Sequence, residues 1–110
     1  VYLDHNATTP LADDLKPKIA EWLDSWGNPS SIHFAGRGPK VLLREARQNI
    51  ARLLGVDGLE VIFTSGGSEA NNLALQGLWQ APVEGRDQLI ISAVEHPSVL
   101  KTAESLMSRG

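Results

Sequence analysis

The segment Val61-Ile62-Phe63-Thr64-Ser65-Gly66-Gly67-Ser68-Glu69-Ala70 narrows the possible folds of this chain more than any other. Its three apolar residues, two of them β-branched, read as a short buried strand that ends at the polar pair and the glycines. Ala70, Leu73, Ala74 and Leu78 follow at helical spacing, so the strand passes through glycine directly into a helix, closed by the turn formers after Gln80. Leu89-Ile90-Ile91 repeats the strand signal, and Val99, Leu100, Ala103, Leu106 and Met107 repeat the helical one. Strands alternating with helices predict an α/β fold whose strands run parallel and buried.

The preceding half reads as helical. Leu15, Ile19, Trp22 and Trp26 predict a helix over 13–26, with Asp13 or Asp14 as cap and Pro17 tolerated in the first turn. Residues 27–33 are rich in turn formers and form a shaped loop. Leu42, Ala46, Ile50 and Leu53 make one face of an amphipathic helix over 39–54, and Gly55 suits its C-terminal end. The three tryptophans suit core or interface packing better than ligand stacking. With 110 residues, 42% of them hydrophobic, the chain has the material for a core.

Ten basic residues against thirteen acidic ones, with no basic run, give no footprint for nucleic acid. No apolar run approaches the roughly 20 residues that span a bilayer. Val1-Tyr2-Leu3-Asp4 lacks a signal-peptide pattern, so a cytoplasmic protein is expected. The chain has no cysteine, so any cysteine nucleophile must come from elsewhere.

Chemistry gathers at two places. The N–H groups of the helix that opens at Gly67, together with the Ser68 hydroxyl, suit a phosphate; the plainer alternative is an ordinary turn with Ser68 as N-cap. The spacing fits neither G-x-x-x-x-G-K-[ST] nor G-x-G-x-x-G. His96 lies just past the second strand, where ligands of α/β sheets bind, and could stack on a planar cofactor or move protons. As an alternative it is a hydrogen-bonded structural residue. Asp4, His5, His33, Glu95 and His96 show no metal-ligand spacing, so no metal is expected.

Tyr-Leu-Asp-His-Asn-Ala-Thr-Thr-Pro (2–10), Gly-Asn-Pro-Ser-Ser-Ile-His (27–33), Phe-Thr-Ser-Gly-Gly-Ser-Glu-Ala-Asn-Asn-Leu-Ala (63–74) and Glu-His-Pro-Ser-Val (95–99) together resemble the NifS/IscS-type cysteine desulfurases, in order and approximate spacing. The resemblance implies a segment of a fold-type-I transferase dependent on pyridoxal 5'-phosphate (PLP), with a mostly parallel sheet flanked by helices. Residues 1–58 would be its N-terminal arm and helices, and 59–110 the start of its PLP-binding large domain. It makes Gly67 and Ser68 the donors to the PLP phosphate, with serine where threonine is common, and His96 the residue that stacks on the ring and shuttles protons. The loops 4–9 and 28–33 would lie near the active site or the dimer interface. The implied activity takes sulfur from L-cysteine to an enzyme cysteine as persulfide and releases L-alanine, in a homodimer that serves a sulfur acceptor or an iron-sulfur scaffold. A selenocysteine lyase and a non-catalytic domain are the alternatives. The family's Schiff-base lysine and persulfide cysteine fall past position 110, and none of Lys16, Lys18, Lys40 or Lys101 matches that lysine.

Overall fold

The computed structural model describes residues 1–109, in which helices form where apolar residues recur at helical spacing. They are α1 (Leu15–Leu23), α2 (Arg37–Leu54), α3 (Gly67–Gln80) and α4 (Pro97–Met107), with 3-10 turns at Phe34–Gly36 and Gly58–Glu60. The chain divides into two units, Val1–Val61 and a second that begins at Ile62.

In the first unit, Asp14 occupies the N-cap of α1, but its side chain makes no capping bond. Asp13 instead pairs with Lys16 at 2.6 Å, an exposed i,i+3 contact that adds little stability. The loop ahead of α2 closes tightly. Gly27 has φ 137°, and a Cβ there would run into the Ala35 carbonyl, while a Cβ at Gly36 would meet the carbonyls of Asn28 and Ser31. Asn28 holds the turn by accepting the Ser30 N–H at 2.9 Å. At its far end, α2 stops at Gly55, which takes the left-handed conformation (φ 69°) that ends many helices. A capping box follows. Asp57 accepts the Leu59 N–H at 2.8 Å, and Glu60 accepts the Asp57 N–H at 2.7 Å. Arg47 then reaches from α2 to the Val61 carbonyl at 3.2 Å.

The face of α2 expected to be buried is open: Leu42, Ala46, Ile50 and Leu53 are all exposed, and only Ala51 of that helix is buried. Trp22, Trp26 and Trp79 are exposed as well.

In the second unit, α3 packs against α4, and Thr102, Ala103 and Leu106 of α4 are buried. Pro97 is the first residue of α4, where its missing N–H costs nothing. The chain turns between these helices at residues 83–86. The Arg86 N–H bonds the Val83 carbonyl at 2.9 Å, with Gly85 at φ 74°.

Among the described residues there is no strand, so the parallel sheet of the expected, incomplete α/β fold is not seen in this chain. A strand is held by hydrogen bonds to a neighbouring strand, which apolar sequence alone does not supply. Neither 61–63 nor 89–91 has a second strand beside it, and Ile62 and Ile90 remain 66% and 88% exposed rather than buried.

Candidate functional site

The turn into α3 has the shape expected of an anion cradle. Gly66 is the N-cap and makes no side-chain cap bond. The first main-chain bond of the helix runs from the Ala70 N–H to the Gly66 carbonyl at 3.1 Å. The N–H groups of Gly67, Ser68 and Glu69 therefore lie outside the helix's own bonding pattern, at its positive end. Gly66 is extended, at φ 168°, a conformation open to any residue. What its glycine contributes is room: a Cβ on Gly66 or on Gly67 would meet nothing within 4 Å. A ligand can thus approach the backbone closely.

Ser68 is the second helical residue, not the N-cap, so its hydroxyl is not used to end the helix. Among the described residues that hydroxyl has no hydrogen bond. Glu69 makes no capping bond either: its carboxylate accepts the Ser65 N–H, one residue ahead of the N-cap, at 2.6 Å. Hydrogen bonding from the Ser65 side chain, then from its N–H, holds the Glu69 carboxyl below its ordinary value of 4.5. A depressed folded value means that this stabilisation is present above the unfolded pKa and is lost as pH falls through the folded one. Glu69→Gln is therefore expected to flatten the fall of melting temperature on acidification below about pH 4.5. An unchanged acid limb in thermal melts would contradict that assignment.

His96 is exposed and is the N-cap of α4. Its Nδ1 accepts the Ser98 N–H at 3.1 Å and lies 2.8 Å from Ser98 Oγ. The hydrogen-bonded structural role weighed from sequence is thus real for one ring nitrogen. The other, Nε2, has no hydrogen bond among the described residues and is available to a ligand.

Gly67 and Ser68 are adjacent on α3, and the packing of α3 on α4 connects them to His96 through hydrogen bonds. Asn72, one turn after Ser68, donates to the Ser68 carbonyl at 2.8 Å and accepts the Thr102 hydroxyl at 2.9 Å. The same Thr102 oxygen lies 2.7 Å from the Ser98 carbonyl, so its one hydrogen is shared between the two acceptors. Asn71 donates to Ser98 Oγ at 2.8 Å, next to His96. Sequence reasoning missed Asn71, Asn72, Ser98 and Thr102. The signal was two consecutive asparagines inside a helix, a poor choice there unless tertiary partners take their amides. The loops 4–9 and 28–33 belong to the first unit. Among the described residues no three His, Asp or Glu side chains lie close enough to hold a metal ion, and no helix is long and apolar enough to cross a membrane.

The whole chain, residues 1–110, matches the family described as aminotransferase class-V. It is 42% identical over its full length to the cysteine desulfurase IscS of Dictyoglomus turgidum, of which it covers 28%. It is 38% identical over 96% of its length to the selenocysteine lyase of Bos taurus, again covering 28%. In three dimensions it resembles a NifS-like protein with a TM-score of 0.84 and 33% identity, covering all of this chain and 30% of that one. The chain thus spans a little over a quarter of the length of the curated relatives it matches.

Proposed function

This chain belongs to the aminotransferase class-V family, and from that premise we propose that it is part of a cysteine desulfurase in which Gly67 and Ser68 hold the phosphate of PLP and His96 faces the ring. The observation that carries the proposal is the open N-terminus of α3, with free N–H groups, a free Ser68 hydroxyl and space where a Cβ at Gly66 or Gly67 would stand. These residues fit a phosphate: N–H donors at a positive helix end and one hydroxyl donor match its acceptor oxygens.

Bound there, PLP would supply an electron sink for bond breaking at the substrate's carbons. The chain's own part is positional and acid/base. The α3 turn anchors the phosphate and so fixes the cofactor's place. Glu69 is turned back to Ser65, so its carboxylate is hydrogen-bonded away from the N–H groups that the phosphate needs. His96 keeps Nε2 free to hold or pass a proton at a reacting atom. The substrate is L-cysteine, its sulfur leaves as a persulfide on an enzyme cysteine, and L-alanine is released. The complete enzyme would work in the cytoplasm as a homodimer and deliver sulfur to an acceptor or an iron-sulfur scaffold protein. Residues 59–110 then begin the PLP-binding large domain, and 1–58 supply the N-terminal arm and helices.

The likeness to a selenocysteine lyase supports a second reading with the same turn and the same histidine. The two are separated by incubating the full-length, PLP-loaded protein with each amino acid and measuring alanine. A cysteine desulfurase releases alanine from L-cysteine and carries a persulfide afterwards; release from L-selenocysteine alone would establish the lyase. No alanine from either would refute both.

A further inference from the structure

His96 approaches its neighbours through Nδ1, and that nitrogen meets two donors. One is the Ser98 N–H at 3.1 Å, which requires Nδ1 to be an acceptor. The other is the Ser98 hydroxyl at 2.8 Å, whose direction follows from the first, since an oxygen facing an acceptor nitrogen must donate. The Asn71 amide nitrogen can only donate, and it does so to Ser98 Oγ at 2.8 Å. That bond takes one of the two Oγ lone pairs and holds Oγ in place, while the Ser98 hydrogen turns to Nδ1, which the Ser98 N–H has already fixed as an acceptor. The neutral ring must then carry its proton on Nε2, the nitrogen with no partner among the described residues. Both Asn71 and Ser98 are partly buried where α3 meets α4, so the arrangement is held by packing as well as by hydrogen bonds. Lys101, the nearest charged residue along α4, is paired with Glu104 at 2.8 Å, and the neighbouring Glu95 adds the one acidic side chain adjacent to His96 in sequence.

We propose that Asn71 and Ser98 are positioning residues that set the tautomer of His96, so that Nε2 meets the ligand as a proton donor. The inference rests on the reading of His96 as the residue facing PLP only for its use in catalysis; the tautomer itself is a property of the residues on α3 and α4. Neither Asn71 nor Ser98 need touch the cofactor.

The direction of the relay makes it testable. Asn71→Asp keeps the shape but turns a donor into an acceptor, so the Ser98 hydroxyl would donate to the new carboxylate and leave its oxygen to accept from Nδ1–H. Ser98→Ala removes the hydroxyl, and Ser98→Thr restores it. The measurement is nitrogen NMR of the full-length holoprotein labelled at histidine, with His96→Gln identifying the signals, recorded where the ring is neutral. In the unmodified protein the Nε2–H form is expected to dominate. Asn71→Asp and Ser98→Ala are expected to raise the share of the Nδ1–H form by roughly two- to tenfold, the worth of one hydrogen bond, and Ser98→Thr is expected to return it. An Nδ1–H form in the unmodified protein, or a tautomer ratio unmoved in both variants, overturns the proposal. Normal turnover in His96→Gln would instead remove the catalytic reading and leave the tautomer assignment standing.

Discussion

Replacing His96 by glutamine in the full-length, PLP-loaded protein is expected to lower turnover of L-cysteine by roughly 100- to 10,000-fold, the usual contribution of a general acid or base. Glutamine can still accept a hydrogen bond at the start of α4, but it offers no group that titrates near neutral pH. His96→Ala is expected to lose as much turnover and, in addition, about 0.5–2 kcal/mol of stability, because the capping bond from the Ser98 N–H goes with it. The pair of variants therefore separates proton transfer from capping. Single-turnover kinetics with L-cysteine, following the absorbance of the bound cofactor, gives the first quantity, and thermal melts give the second. Near-normal turnover in both variants would sink the catalytic role. Loss of folding in both would show that His96 serves the helix alone.

Ser68→Ala is the second large effect. The Ser68 hydroxyl ends no helix and holds no other side chain among the described residues, so its removal should leave folding alone. Its expected use is one hydrogen bond to a charged phosphate, which is worth about 1.5–3 kcal/mol. PLP affinity is accordingly expected to fall by roughly 10- to 150-fold. Ser68→Thr keeps the hydroxyl and is expected to be mild. Equilibrium titration of the full-length apoprotein with PLP checks both. An alanine variant that melts earlier but binds PLP normally would point to a structural hydroxyl instead.

The parts of the fold that were legible in the sequence are those governed by local rules. Ala70, Leu73, Ala74 and Leu78 marked α3, and Gly55 marked the end of α2, because spacing and left-handed caps depend on near neighbours. The box at Asp57 and Glu60 was equally local and could have been read from its spacing. The sheet was not legible in the same way. Val61-Ile62-Phe63 and Leu89-Ile90-Ile91 have strand composition, but strands need partners, and composition does not say whether they are present. The same holds for Leu42, Ile50 and Leu53: an amphipathic face shows which side would be buried, not what covers it. At the site, sequence reasoning reached Gly67, Ser68 and His96, while the link between α3 and α4 escaped it. Asn71 meets Ser98 across 27 positions, and no periodicity reports such a pair.

The central claim is that the turn into α3 takes the phosphate of the cofactor, and it is tested most directly by comparing ligands with and without that group. PLP and pyridoxal, which lacks the phosphate, are titrated into the full-length apoprotein and its Ser68→Ala variant. If Ser68 donates to the phosphate, the substitution weakens PLP by roughly 10- to 150-fold and leaves the affinity for pyridoxal unchanged. An equal loss for both ligands, or no loss for PLP, would contradict the assignment of this turn as the phosphate site.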